Sequence, residues 1–153
     1  MLIGIISDTH GLLRPEALAA LRATNLIIHA GDIGSPSILE KLREIAPLFA
    51  VRGNVDRQAW ADKLPESQTV QVGAHRFHVV HAISELVIDP VKAGIAAVIF
   101  GHSHEPSIER RAGVLYLNPG SAGPRRFKLP ICIARVQVSD MRLAPSIVSL
   151  NVA

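Results

Sequence analysis

Apolar residues in this chain come in short continuous runs separated by polar loops, and their spacing predicts alternating strands and helices. Leu2–Ile6 is an isoleucine-rich run, followed by a polar loop and by Pro15–Arg22, where proline at an early helical position precedes alanines and leucines. The cycle repeats with Leu26–His29 as a strand and a helix opened by Ser35 or Pro36, which sets Ile38, Leu39, Leu42 and Ile45 on one face. Leu48–Val51 is a third strand. Strands of this kind, without polar alternation and joined through helices, belong in a buried parallel sheet. After Pro65 the texture changes. Thr69–Val72 and His75–His81 flank a Gly73–Ala74 turn as a hairpin, Glu85–Ala93 reads as a short helix, and Ala96–Phe100 as another buried strand. Ser107–Arg110, Val114–Asn118, Ile131–Val138 and Ile147–Val152 read as strands, so the second half is expected to form a mixed or antiparallel sheet packed against the first.

Composition mainly excludes. A chain of 153 residues suffices for one domain with a sizeable core, so a single domain over 1–153 is expected. With 48% hydrophobic and 19% charged residues it is far from a disordered composition. The longest apolar stretches, such as Ala93–Phe100, fall short of a membrane span. No basic region precedes Leu2–Ile6, so a cytoplasmic protein without membrane partners is expected. The net charge of +3 is spread over scattered basic residues and aromatics are only 4%, so nucleic acid is not an expected partner. Homo-oligomer formation stays open. The one cysteine, Cys132, lies in an apolar run and reads as a buried hydrophobe.

Chemically capable side chains gather where the predicted strands end. Asp8 and His10 follow the first strand, Asp32 the second, and Asn54 and Asp56 the third; His81 ends the fourth, and Gly101-His-Ser-His104 follows the fifth. Ligands of open α/β sheets bind beyond the carboxyl ends of strands, so such a set meets in one cleft. Imidazole nitrogens with hard oxygens and no thiolate suit Mn²⁺, Fe or Zn²⁺ rather than soft metals. In Asp-x-His and His-x-His, residues two apart in an extended segment point the same way and can reach one metal.

In order and spacing, Asp8-Thr-His10, Gly31-Asp32, Gly53-Asn54, His81 and Gly101-His-Ser-His104 resemble the calcineurin-like metallophosphoesterases. Asn118-Pro-Gly-Ser121 and Pro124-Arg125 narrow the resemblance to the small phosphodiesterases of the YfcE-like and archaeal MJ0936-like group. The resemblance implies a four-layer α/β/β/α sandwich of two mixed sheets flanked by helices. It also implies two divalent ions, Mn²⁺ foremost with Fe, Ni²⁺, Co²⁺ or Zn²⁺ as alternatives. One would be held by Asp8, His10 and His104, the other by Asn54, His81 and His102, with Asp32 bridging. The implied activity is hydrolysis of small phosphodiesters by direct attack of a metal-bridging hydroxide. A non-catalytic metal-binding scaffold on the same fold is the competing reading. Asp32, Asn54, His81, Asp56 and Arg125 are the expected catalytic positions. Asp56 either orients water and neighbouring groups or closes a turn, and Arg125 either meets substrate phosphate or is simply exposed. The chain departs from the wider superfamily at Val55, where many members carry a histidine that assists the leaving group, and at Ala82-Ile83 after His81. His29 is either a partner of the ligand loops or a satisfied strand-end histidine, and His75 and His78 read as structural or surface residues.

Overall fold

In a computed structural model, which describes residues 1–152, the apolar runs become ten strands in two five-stranded sheets. In the first third, β1 (Leu2–Ile6), α1 (Pro15–Leu21), β2 (Leu26–His29), α2 (Pro36–Arg43) and β3 (Leu48–Ala50) follow the predicted alternation, and β1, β2 and β3 pair in parallel. Each helix opens on a proline, whose missing N–H costs nothing in the first turn. Ser35 caps α2 by accepting the Ser37 N–H, and Lys41 and Arg43 sit at its C-terminal end, where cations are favoured.

The second sheet runs β4 (Ser67–Val72), β5 (His75–Val80), β6 (Ala97–Ile99), β8 (Val114–Asn118) and β7 (Ser107–Arg111) across its width. β4 and β5 form the expected hairpin, while β5, β6 and β8 are parallel neighbours. β9 (Cys132–Val138) and β10 (Leu143–Ser149) return to the first sheet, with β9 antiparallel to β1. The second half therefore supplies both sheets, a pairing that no local pattern specifies.

Most expected elements shift by no more than two residues at either end, and two expected elements differ more. Glu85–Ala93 is not an α-helix: a 3₁₀ turn covers Ile83–Glu85, and beyond it the Asp89 carboxylate accepts the Val91 and Lys92 N–H groups. Pro90 disfavours helical geometry at the residue before it, and the Asp89 side chain offers the backbone an alternative. The last strand covers Leu143–Ser149 rather than Ile147–Val152, with Pro145 inside it. An edge strand tolerates a proline because one side of its ladder is unpaired, and β10 pairs only with β9.

The layers follow from which faces are apolar. Ile3, Ile5 and Ile28 of the first sheet meet Phe77, Val79, Ile99, Leu115 and Leu117 of the second in the central core. On the outer side of the first sheet, Ile6, Ile27 and Ile133 pack under Leu21 of α1 and Ile38 and Leu42 of α2. On the outer side of the second, Val80, Val98 and Val114 lie beneath Leu86, Ile88 and Ala93, so irregular turns provide the fourth layer. Cys132 is fully buried, and burial pushes its thiol up to about 11, in line with a packing role. Among the described residues, no helix is long and apolar enough to cross a membrane.

Candidate metal centre

The parallel strands of both sheets end on the same side, and the polar residues predicted from sequence lie on the loops that leave them. These loops are strained. Asp8 (φ 56°), His10 (φ 46°), Asp32 (φ 55°), His102 (φ 74°) and His104 (φ 64°) all have left-handed backbone, a conformation unusual for residues with a side chain. Such strain persists only where the surroundings enforce it, and it concentrates at functional sites. This corrects the expected reason for convergence: Asp8 and His10 meet through a tight left-handed turn, not through alternation along an extended strand, while His102 and His104, left-handed too, join different groups of ligands.

Two trios result. Asp8, His10 and His104 bring one ligand atom each within 4.8 Å of one another, as do Asp32, His81 and His102. Asp32 stands between them, with Oδ2 3.2 Å from His81 Nε2 and 3.6 Å from His10 Nε2. Asp8 Oδ1 lies 3.4 Å from His104 Nε2, 3.8 Å from His10 Nε2 and 3.9 Å from His81 Nε2. Asn54 sits exposed at the rim, on the loop whose Gly53 abuts Asp32.

Neighbouring groups aim these side chains. Asp8 Oδ2 accepts the Ser7 hydroxyl (2.7 Å) and the His102 N–H (3.0 Å), while Oδ1 has no hydrogen-bond partner although the residue is fully buried. The His81 ring is fixed by Nδ1, 2.8 Å from the Ala30 carbonyl; Nδ1 therefore carries the proton, and Nε2 points its lone pair into the cluster, buried and unpartnered. His104 Nδ1 is also unpartnered. Buried polar atoms are nearly always satisfied, so two inward orphans, Asp8 Oδ1 and His81 Nε2, in one cluster of imidazole and carboxylate donors fit a hard or borderline divalent cation, whereas His104 faces Asp8 and His10 through Nε2 and its Nδ1 lies on the other side of the ring.

Charge in the cluster is mutually supporting. Burial by itself would raise the Asp8 carboxyl, but His104, Ser7 and His81 hold it below its ordinary value. Asp32 behaves likewise: burial raises it, and His81 and the Val55 N–H, 3.1 Å from Oδ1, outweigh this. Burial would lower His81, and the adjacent Asp32 and Asp8 carboxylates more than reverse it.

Several bracing residues were not read from sequence in these roles. Asp56, expected among the catalytic residues, is buried with both oxygens occupied: it accepts N–H groups of Ile33 (3.0 Å), Gly34 (3.0 Å) and Gly53 (2.9 Å), which ties the Asp32 loop to the Asn54 loop. Its hold on the centre is through those loops. The Asn118 side chain donates to the Gly101 carbonyl and Ser103 Oγ and accepts the Gly120 N–H, while Ser121 Oγ donates to the Asp8 carbonyl. Ser7 drew no attention because a lone serine after a strand carries no signal. Gly53 and Gly101 are required by space, since a Cβ would fall 2.1 Å from Asp32 Oδ1 and 2.1 Å from Ser7 Oγ respectively.

Outside the cluster, His29 is completely buried: Nδ1 accepts the Gly31 N–H, so Nε2 donates to Thr9 Oγ1, which donates to the Ile33 carbonyl. His78 hydrogen-bonds Thr69 across the hairpin and His75 the Ser139 carbonyl, as structural or surface residues do. Arg125 is exposed and makes no hydrogen bond or ion pair among the described residues.

Comparison with known proteins gives the family and the fold. Residues 1–141 match the calcineurin-like phosphoesterase superfamily domain. The chain is 38% identical over 142 residues to a "Probable metallophosphoesterase" of Methanothermobacter thermautotrophicus, covering 85% of this chain and 82% of that protein. It is 30% identical over 139 residues to "Phosphodiesterase MJ0936" of Methanocaldococcus jannaschii, covering 78% and 83%. Its fold is similar to that of a solved archaeal phosphodiesterase (TM-score 0.80, 23% identity, 97% and 100% coverage) and to Vps29 of Chaetomium thermophilum (TM-score 0.79, 20% identity, 98% of each chain).

Proposed function

The chain belongs to the calcineurin-like phosphoesterase superfamily, and from that premise we propose that it is a binuclear metal-dependent phosphodiesterase acting on small phosphodiesters. The observation that carries the reading is the pair of buried, unpartnered lone-pair atoms, Asp8 Oδ1 and His81 Nε2, 3.9 Å apart, with Asp32 Oδ2 3.2 Å from the second. Asp8, His10 and His104 would hold one ion, and Asn54, His81 and His102 the other, with Asp32 between the two sets. Mn²⁺ suits these donors, as do Fe, Ni²⁺, Co²⁺ and Zn²⁺. Bound there, two divalent ions supply an activated water and charge neutralisation at phosphorus.

The chain's own residues supply alignment. Ser7 and the His102 N–H hold one oxygen of Asp8 so that the other faces inward, and the Ala30 carbonyl keeps the proton of His81 on the outer nitrogen. Such partners of ligand side chains typically matter by about 10–100-fold in metal affinity or activity. Asp56 keeps Asp32 and Asn54 in register, and Arg125 steadies the substrate phosphate as an exposed guanidinium. Val55 is half exposed and has no proton to give, so departure of the leaving group relies on its own acidity. Phosphodiesters are favoured over monoesters on the strength of the 30%-identical relative named as a phosphodiesterase.

The test is reconstitution of metal-stripped protein with Mn²⁺, counting bound ions by elemental analysis while following bis(4-nitrophenyl) phosphate and 4-nitrophenyl phosphate. Two ions per chain and preferential cleavage of the diester are expected. A single ion at saturation overturns the binuclear reading. Two bound ions with no cleavage of either ester favours the scaffold.

A further inference from the structure

Beside Asn54 lies a cavity of about 360 Å³, between the loop that leaves β3 and the turn that leaves β5. That is within the usual size of small-ligand pockets, at their lower end. Its walls include Arg52, Arg57, Asp62, Glu66 and Glu85, and no aromatic or aliphatic side chain lines it. Arg52 is already spoken for: Nη2 lies 3.2 Å from Glu66 Oε1, and Nη1 3.9 Å from Asp62 Oδ1. Asp56 is committed to backbone N–H groups. Two charged groups remain. Arg57 donates Nε–H to the Asn54 carbonyl at 3.0 Å, which fixes its fork beside the candidate metal centre, and its two Nη groups have no partner among the described residues. Glu85, on the 3₁₀ turn four residues after His81, has no side-chain hydrogen bond or ion pair there either.

We propose that this cavity is a subsite for a neutral, hydroxyl-rich arm of the substrate, a polyol or sugar, with Arg57 and Glu85 as its specificity-determining residues. The class follows by elimination. An apolar arm would strand both charges, which is costly in a pocket. An anionic arm would meet Glu85 and a cationic one Arg57. A hydroxyl group both donates and accepts, so adjacent hydroxyls satisfy the carboxylate and the guanidinium at once. A site built this way discriminates strongly against an analogue without the hydroxyl, because its polar groups are then left unpaired. The placement rests on the proposed function: a phosphodiester held at the Asp32, His81 and His102 cluster has one arm directed past Asn54 into this cavity.

The experiment compares three 4-nitrophenyl phosphodiesters with the Mn²⁺-loaded protein, their second arms being glycerol, ribose (through O5′) and propyl. Expected is a kcat/KM at least about tenfold higher for one hydroxylated arm than for propyl, roughly one charge-assisted hydrogen bond. The preferred arm tells glycerol-type from sugar-type substrates. In Arg57→Ala and in Glu85→Ala that ratio should fall towards one. Equal rates for all three arms in the wild-type protein, or a preference that persists in both variants, overturns the subsite. If none of the three esters is cleaved in a metal-dependent way, the proposed function itself fails, so the two failures are distinguishable.

Discussion

Removing the Asp56 carboxylate should cost this protein more than removing any exposed acidic residue, although Asp56 touches no candidate ligand atom. Its two oxygens accept three backbone N–H groups at 2.9–3.0 Å, from Ile33, Gly34 and Gly53. Hydrogen bonds to a charged acceptor contribute about 1.5–3 kcal/mol each, and an orphaned buried N–H costs about 1–3 kcal/mol. In Asp56→Ala, Gly34 is exposed and its N–H regains water, the partly covered Gly53 does so in part, and Ile33 is buried and cannot. Summed on that basis, the loss is about 3–5 kcal/mol at the low end of each range. For a domain of this size that lowers Tm by roughly 6–20 °C. Asp56→Asn keeps one acceptor oxygen and should fall between the two. Thermal unfolding followed by far-UV circular dichroism, on metal-free protein so that ligand binding does not mask the effect, measures this. Metal titration of the folded variant should show weakened binding, since the Asp32 and Asn54 loops are no longer tied. An Asp56→Ala protein that melts within about 2 °C of the parent would refute the argument, because it would mean that the three N–H groups find equivalent partners elsewhere.

Asp32→Ala should leave the folded protein unable to hold two ions at once and without measurable turnover, whereas Arg125→Ala should raise KM and retain metal stoichiometry; calorimetric titration with Mn²⁺ beside steady-state kinetics separates the two. His29 gives a pH signature: burial drives its imidazole down to about 4 from 6.5. An unfolded chain binds that proton as pH falls below about 6.5 while the fold resists until about 4, so this stability is complete above the window and lost through it, by about 3 kcal/mol at most. Melting temperatures of metal-free protein should therefore fall with acidity more steeply than those of His29→Gln across that range, and parallel curves would count against it. With Val55 in place of a proton donor, kcat/KM over a series of aryl diesters should fall steeply as leaving-group pKa rises, since a positioned general acid would otherwise contribute about 10²–10⁴-fold; a flat series, with product release excluded by a viscosity control, contradicts this.

The element types of the first third were legible because each layer there buries one kind of face: unbroken apolar runs for strands covered on both sides, and a 3.6-residue stripe for α2. Glu85–Ala93 misled because helix-compatible residues surround Pro90, and only the turn built by Asp89 shows which tendency wins. The last strand reaches back over Pro145 because a proline is excluded from a central strand but not from an edge, and edge position is a property of the whole sheet.

By itself, the chain's order of residues determined the chemistry available and where along the strands it would sit: Asp8, His10, Asp32, Asn54, His81, His102 and His104 all follow apolar runs, and strand direction delivers them to one side. Tertiary structure decided what sequence spacing cannot express. It returned β9 and β10 to the first sheet, set five loop residues in left-handed backbone so that their side chains converge, turned Asp56 from a candidate reactant into a brace for the loops around the centre, and made Asn118 another such brace. The physical reason is that hydrogen-bond satisfaction is a contest among groups distant in sequence. Asp56 finds its donors 22 and 23 residues away as well as three, and Asn118 finds Gly101 at 17, so whether a polar side chain is spent on the backbone or left free for a ligand is settled only when the loops meet.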